Sequence, residues 1–183
     1  MKKLFLLLLL TVCVTSVRAQ IAWNIRAGAG FSNLICNGSQ MGSQFAYKAG
    51  LGTEYAILRR NLLVMGAVEY AHKGSQCKDS SGMTYKLAGS HYAQIPLMIA
   101  GRINYKNFNA TLKGGGYGSY AFASDKDALT NDKFDYGYVV SLDIEYLHFV
   151  LGVDYQRGLK NMIDDKYYKA YNSALYFNIG CRF

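Results

Sequence analysis

The chain has 183 residues, with 20 lysines and arginines against 12 aspartates and glutamates, and it is rich in Tyr, Phe and Gly with a single Pro. This length suits one domain, and the modest positive excess, much of it in turns and loops, gives a nucleic-acid partner little support. No stretch after the N-terminus approaches the roughly 18 apolar residues of a transmembrane helix, which the sequence therefore excludes there.

The N-terminus predicts a targeting segment. Lys2 and Lys3 form a basic region, residues 4–14 form an apolar core, and Val17-Arg18-Ala19 is a plausible cleavage site before Gln20. The apolar core is too short to span a bilayer. We therefore expect residues 1–19 to be a cleaved signal peptide and residues 20–183 to be one exported domain.

Eight runs of alternating apolar and polar residues follow this segment. Their period of two is typical of β-strands with one apolar face. Most are longer than the usual strand of a soluble protein, and all can reach the roughly 9–11 residues that a tilted transmembrane strand needs. The runs cover residues 22–34, 44–58, 62–73, 91–105, 108–122, 134–146, 149–159 and 172–183.

Short and long connections alternate between these strands. Residues 59–61, 105–107 and 147–148 form very short turns, whereas residues 35–43, 74–90, 123–133 and 160–171 form long polar segments. An up-and-down transmembrane barrel has this asymmetry, with short periplasmic turns and longer outer loops. With eight strands, both termini are predicted on the periplasmic side and four loops at the cell surface.

The two faces of the strands differ in side-chain volume as well as in polarity. One face carries more than two dozen bulky residues, such as Trp23, Leu97 and Leu151, and the other mixes charged residues with Gly, Ala and Ser. An eight-stranded barrel has an interior just wide enough for its own side chains or one small ligand. The apolar face is too large for that lumen and must point outward. The sequence therefore predicts an all-β, eight-stranded antiparallel up-and-down transmembrane β-barrel.

The predicted interior face carries five basic and six acidic side chains. Charges in a confined interior must be paired and hydrogen-bonded. We expect a near-neutral salt-bridge network that plugs the lumen rather than a general porin, with a proton or ion path as the alternative. The network comprises Arg26, Lys48, Arg102, Lys113 and Arg182 with Glu54, Glu69, Asp135, Asp143, Glu145 and Asp154.

Two cysteines fall in the first two predicted surface loops. In an exported chain, Cys36 and Cys77 suggest a disulfide between neighbouring loops, with unpaired thiols as the alternative. Cys181 lies on the apolar face and is expected to act as a small apolar residue.

Histidines flank the second loop. His72 and His91 lie near the outer rim, and Ser90 adjoins His91, which raises the alternative of a hydrolase active at the rim. Nucleophilic catalysis needs a base against the serine and a third group that orients the base, and no diagnostic motif supplies them. We expect interfacial histidines, and we predict no catalytic residue, cofactor or metal.

Several short motifs together resemble one family, the PorT-like small outer-membrane β-barrel proteins, across the whole of residues 20–183. Departures occur at Gln94, where the family commonly has an acid, and at Asp154, where it commonly has Arg. The resemblance implies the barrel fold and little about function, although the founding member is associated with protein secretion. The motifs are Ala-Gly-Ala-Gly-Phe-Ser-Asn-Leu at 27–34, Val-Glu-Tyr-Ala-His-Lys-Gly at 68–74, Tyr-Ala-Gln-Ile-Pro-Leu at 92–97, Phe-Asp-Tyr-Gly at 134–137, Asp-Tyr-Gln-Arg-Gly-Leu at 154–159 and Gly-Cys-Arg-Phe at 180–183.

The last strand resembles the signal that the barrel-assembly machinery reads, which implies that partner during biogenesis. Its apolar face consists of Leu175, Phe177, Ile179, Cys181 and Phe183.

These observations predict a non-enzymatic structural or interaction protein of a Gram-negative outer membrane. Outer-membrane lipid and lipopolysaccharide are its expected surroundings, and an accessory role in secretion or surface assembly with an unidentified envelope protein is one form of that function. The alternatives are a hydrolase acting at the outer rim and a soluble, lipocalin-like carrier.

Overall fold

The computed structural model describes residues 21–36, 39–40, 42–58, 61–78, 84–124, 133–161 and 170–183. Within these residues, no helix is long and apolar enough to cross a membrane. The described strands are β1 (Ile21–Cys36), β2 (Ser39–Gln40), β3 (Gly42–Leu58), β4 (Leu62–Lys78), β5 (Thr84–Tyr105), β6 (Phe108–Ser124), β7 (Phe134–Tyr146), β8 (Phe149–Gly158) and β9 (Ala170–Arg182).

Eight long strands form one closed antiparallel sheet. The order is β1-β3-β4-β5-β6-β7-β8-β9, and β9 pairs with β1 to close the ring. Each strand is hydrogen-bonded to its sequence neighbour, which is the up-and-down topology. Closure removes the unpaired edges that an open sheet would expose. The predicted eight-stranded antiparallel barrel is confirmed, with the two-residue β2 folding back onto the end of β1 as an addition.

The strands extend further into the predicted long loops than the sequence indicated. β4 continues to Lys78 and β5 begins at Thr84, so most of the predicted loop 74–90 is a hairpin. β2 likewise pairs within the predicted loop 35–43. The run Gly-Ser-Gln-Cys-Lys at 74–78 is small and polar and lacks the apolar alternation that marks a half-buried strand, so the sequence indicated a loop there.

Short turns and the two described chain ends lie at the same end of the barrel. Leu147 N donates to Asn107 O at 3.1 Å and Arg182 N donates to His148 O at 2.8 Å, which joins successive turns to each other and to β9. Lys106 and Leu147 have positive φ angles of 51° and 56°, as two-residue hairpin turns require. Of the predicted turn 59–61, only Asn61 belongs to the described part.

The two faces of the barrel are separated as predicted. All 13 residues of β7 alternate between exposed and buried. On the outer face Leu97 is 63% exposed, whereas on the inner face Lys113 is 1% exposed. Apolar side chains therefore cover the outside and charged ones fill the inside, which is the reverse of a soluble barrel.

Pro96 and Gly115 are two positions where the neighbouring backbone and the residue type are linked. The β4–β5 ladder is interrupted between the pairs Gly66↔Leu97 and Glu69↔Gln94, beside Pro96, which has no N–H to donate. A Cβ at Gly115, on the inner face of β6, would overlap the carbonyl oxygen of Leu97. Only glycine therefore fits at position 115 without a shift of the backbone.

Candidate functional site: the charged lumen

Near the short-turn end, Glu54 is the centre of an arginine cluster. Its carboxylate accepts from Arg102 at 2.6 Å and from Arg182 at 3.0 Å, and Arg26 lies 3.6 Å away. Asn24 also donates to Glu54, at 3.4 Å. The Glu54 side chain is 1% exposed, so one buried carboxylate contacts three guanidinium groups from three strands.

Glu145 from β7 is the second carboxylate at this end. It lies 3.3 Å from Arg182 and 3.8 Å from Arg102. Arg102 also donates to Thr111 Oγ1 at 3.0 Å. Charge-assisted hydrogen bonds of this kind fix side-chain geometry more strongly than neutral ones, so they join β3, β5, β7 and β9 across the lumen.

The middle of the lumen contains two further ion-pair groups. Asp143 bridges Arg26 and Lys113, at 2.7 Å to each. Lys48 bridges Asp154 at 2.5 Å and Glu69 at 3.3 Å. In each group one pair joins strands that are not neighbours in the sheet: Arg26 on β1 with Asp143 on β7, and Lys48 on β3 with Asp154 on β8. These pairs connect separate parts of the barrel wall across the lumen.

At the long-loop end, Lys73 forms the next layer. Its ammonium donates to Gln94 at 2.8 Å, and Gln94 donates in turn to Glu69 at 3.1 Å. The same ammonium lies 4.4 Å from the ring centroid of Tyr117 and 5.6 Å from that of Tyr92. Cation–π contacts and the amide therefore surround a buried charge here.

The prediction from sequence did not include Lys73 in the interior, where it placed five basic and six acidic side chains. The structure brings Lys73 to the inner face at 3% exposure, so the described lumen contains six bases and six acids. The signal was present, because Glu69, Ala71 and Lys73 share one strand parity. Its position at the end of the predicted strand concealed it.

Asp135 shares this layer, and within the described part of the chain it has no direct ion pair. Asn172 donates to Asp135 Oδ2 at 3.0 Å, and Tyr117 Oη lies 3.5 Å from the same oxygen. Of the eleven charged residues that the sequence assigned to the interior, ten are therefore connected by ion pairs and Asp135 by neutral donors.

Large side chains complete the filling of the lumen. Tyr176, Tyr92 and Tyr117 are buried on the inner face, and Leu63 and Met65 pack with Ala100 nearer the short turns. A cavity of about 20 Å³ lies among residues that include Arg26, Glu69, Lys113 and Asp154. That volume suits a single water molecule rather than a channel.

The inner faces of β8 and β9 also hold polar groups without a protein hydrogen-bond partner in the described structure. These are the side-chain amides of Gln156 and Asn178, the hydroxyl of Tyr176 and Oδ1 of Asp154. Buried groups of this kind commonly bind ordered water.

At the long-loop end of the barrel, the residues considered for hydrolysis do not come together. Ser90 is buried on the inner face, whereas His91 lies on the outer face with Nδ1 2.6 Å from the hydroxyl of Tyr70. Consecutive strand residues point to opposite sides of a sheet, so Ser90 and His91 cannot form a nucleophile–base pair.

The cysteines are only partly described. The backbone of Cys36 and Cys77 lies in β1 and β4, but their side chains lie outside the described residues, so the disulfide stays a prediction. Cys181 is a free thiol on β9.

The apolar face of β9 is directed outward. Leu175, Phe177, Ile179 and Phe183 are all exposed. Its proposed use as an assembly signal stays a prediction.

The comparisons agree with this geometry. A family model described as Outer membrane protein beta-barrel domain matches residues 16–164. No curated protein matches the chain.

Solved structures of small outer-membrane proteins resemble it over most of its length. OprG from Pseudomonas aeruginosa has a TM-score of 0.55 at 12% identity, covering 90% of this chain and 96% of OprG. Neisserial surface protein A has a TM-score of 0.53 at 15% identity, covering 88% and 99%. Ail of Yersinia pestis, in complex with the heparin analogue sucrose octasulfate, has a TM-score of 0.51 at 14% identity, covering 90% and 99%. At these identities the likeness shows the fold alone.

Proposed function

Because the chain belongs to the outer membrane protein beta-barrel domain family, we propose that it serves as a non-enzymatic structural or interaction component of the Gram-negative outer membrane. It is an integral outer-membrane β-barrel. The observation that supports the structural role is the filled, charge-balanced lumen, in which one carboxylate, Glu54, contacts Arg26, Arg102 and Arg182. A barrel braced in this way supports a rigid scaffold rather than a transport path.

The long-loop end is the proposed interaction surface. Short turns and both described chain ends lie together, and transmembrane barrels direct their short turns to the periplasm. We infer that both termini are periplasmic, that residues 1–19 are removed as a signal peptide, and that residues 20–183 form the mature domain. The four longer connections then face the cell exterior.

The partners follow from this placement. Outer-membrane lipid and lipopolysaccharide surround the apolar outer face, and the barrel-assembly machinery reads the last strand during insertion. We further propose that the protein is a PorT-like barrel with an accessory role in secretion or surface assembly. The motifs at 27–34, 92–97 and 154–159 support it.

The first test joins two measurements on one tagged preparation from outer membranes in mild detergent. The protein is run on gels with and without boiling, and co-purifying proteins are identified by mass spectrometry. A heat-dependent shift with one stable envelope partner supports the accessory role. A shift without a partner contradicts that role and leaves a solitary barrel.

Conductance separates the plugged barrel from a pore. Purified protein in a planar bilayer is expected to give no steady ion current, because ion pairs cross the lumen at successive levels. A stable open-channel current in wild-type protein would contradict the plugged-lumen proposal. An OprG or NspA preparation handled in parallel controls for insertion and detergent artefacts.

A rim hydrolase is the rival. Turnover of lipid or peptide that survives purification and is lost in His91→Ala would restore the hydrolase. The apolar outer face of the barrel argues against the soluble, lipocalin-like carrier.

A further inference from the structure

A cluster of aromatic and histidine side chains lies on the outer face, toward the long-loop end. We call it the outer histidine patch and define it as Tyr47, Tyr70, His72, His91 and Phe122, from β3, β4, β5 and β6. Its rings contact one another, with centroid separations from 4.8 to 6.3 Å. None of the interior ion pairs involves these residues, so the patch is separate from the lumen.

Two imidazoles face each other across a strand pair in this patch. His72 and His91 are direct partners in the β4–β5 ladder, with ring centroids 4.8 Å apart and ring planes at 51°. Tyr47, the partner of His72 on β3, stacks on its ring at 5.0 Å and 14°. Side chains at directly opposite ladder positions on one face are close enough to share one small ligand.

Tyrosine hydroxyls orient the second imidazole. The Tyr70 hydroxyl lies 2.6 Å from His91 Nδ1, and the Tyr47 hydroxyl lies 3.5 Å from the Tyr70 hydroxyl. A metal-binding histidine characteristically uses its other ring nitrogen in a hydrogen bond that fixes its orientation. The contact of Nδ1 with Tyr70 directs Nε2 of His91 away from that hydroxyl.

An interfacial aromatic girdle accounts for the tyrosines and the phenylalanine, but not for this pair. Girdles are enriched in Trp and Tyr, which place an apolar ring and one polar atom at the headgroup level. Two histidines at directly opposite positions, one of them hydrogen-bonded to a phenol, give a girdle no more apolar surface than two tyrosines would. Their distinguishing chemistry is imidazole nitrogen.

We propose that His72 and His91 form a two-imidazole binding site for a divalent transition-metal ion, of the class of Zn²⁺, Ni²⁺ or Cu²⁺. Imidazole is a preferred ligand of these ions, whereas Ca²⁺ and Mg²⁺ prefer oxygen. The described residues contain no group of three or more His, Cys, Asp or Glu side chains placed to hold a metal. Water or headgroup oxygens therefore complete the coordination, and Tyr70 is the positioning residue for His91.

The site is tested on full-length protein purified from membranes in detergent with an affinity tag that contains no histidine. Titration calorimetry with Cu²⁺ and with Ni²⁺ is expected to show one saturable site per chain. His72→Gln and His91→Gln are each expected to abolish that site. Tyr70→Phe keeps the ring but removes the hydroxyl, and it is expected to weaken binding by about 10- to 100-fold.

The third histidine supplies a matched control. His148 lies in the turn at the opposite end of the barrel, where its Nδ1 contacts the Arg182 carbonyl oxygen at 3.2 Å. His148→Gln is expected to leave the titration unchanged, and the gel shift on boiling verifies that every variant is folded. Electron paramagnetic resonance of the Cu²⁺ complex is expected to show two coordinated nitrogens in wild type.

Binding that survives in both His72→Gln and His91→Gln, or that is lost in His148→Gln, would overturn the proposal. So would the absence of saturable binding in folded wild-type protein, which would leave the patch as part of the aromatic girdle.

Discussion

Replacing Glu54 with Gln removes the carboxylate that three arginines share, while it preserves the size of the side chain. Arg26 keeps Asp143 at 2.7 Å and Arg182 keeps Glu145 at 3.3 Å, but the carboxylate left to Arg102 is Glu145 at 3.8 Å, beside its neutral hydrogen bond to Thr111. Arg102 is 5% exposed, so its charge is left buried and poorly compensated. Breaking a buried ion pair from one side costs about 3–5 kcal/mol, and we expect the free energy of unfolding to fall by that amount.

The assay is equilibrium unfolding in urea with the barrel in lipid vesicles, extrapolated linearly to zero denaturant. Trp23 is the single tryptophan, lies exposed on the outer face and exchanges backbone hydrogen bonds with Phe183 at 2.8 and 3.1 Å. Its fluorescence therefore reports both insertion into lipid and closure of the β1–β9 seam.

A second substitution separates lost charge balance from general damage. In Glu54→Gln combined with Arg102→Met, the stranded charge is gone, so we expect the double variant to be more stable than Glu54→Gln alone. Glu69→Gln is the matched control, because Lys48 retains Asp154 at 2.5 Å, and its loss should be smaller. A Glu54→Gln variant within about 0.5 kcal/mol of wild type, the scatter of an uncoupled site, would refute the reasoning.

Three further predictions concern the backbone and the loops. Gly115→Ala should prevent or severely weaken folding, measured by the gel shift on boiling, because its Cβ would overlap a backbone oxygen. Gly114→Ala is the control, since no atom lies within 4 Å of an added Cβ there, and it should fold normally. Equal behaviour of the two variants would contradict this prediction. Leu147→Asn should stabilise the barrel by about 1 kcal/mol in the same urea assay, since Leu147 has a φ angle of 56° and Asn tolerates the left-handed region better than Leu. An unchanged midpoint of unfolding would contradict this prediction. Cys36 and Cys77 should form a disulfide, because Ser32 Oγ donates to the Gly74 carbonyl oxygen at 2.7 Å and brings β1 close to β4 just before both cysteines. Mass spectrometry should detect it as a peptide cross-link that reduction removes. Two free thiols in protein isolated without reductant would contradict this prediction.

Strand positions and the direction of their faces could be read from the sequence with little error. β7 has the predicted bounds, 134–146, and the bulky residues assigned to the outside, such as Trp23 and Leu151, are exposed. This worked because strand alternation is a local property, and because the volume of the apolar residues exceeds what an eight-stranded lumen can hold.

The errors occurred where the local pattern carries no information. The hairpin of β4 and β5 continues through residues predicted as loop, and the run at 74–78 has no apolar alternation that would have revealed it. Lys73 shares the parity of Glu69 but stood at a predicted strand end, and it was left out of the interior. Ser90 and His91 were considered together as neighbours, although adjacent strand residues face opposite sides.

What the sequence determined by itself is the barrel: eight alternating strands, an apolar exterior and a charged interior. What only the tertiary structure decided is which charges meet, such as Lys48 with Asp154 and Glu54 with Arg182. It also decided that His72 lies opposite His91. Alternation assigns a residue to a face from its immediate neighbours, whereas a contact across the lumen depends on the register of every strand pair around the closed ring.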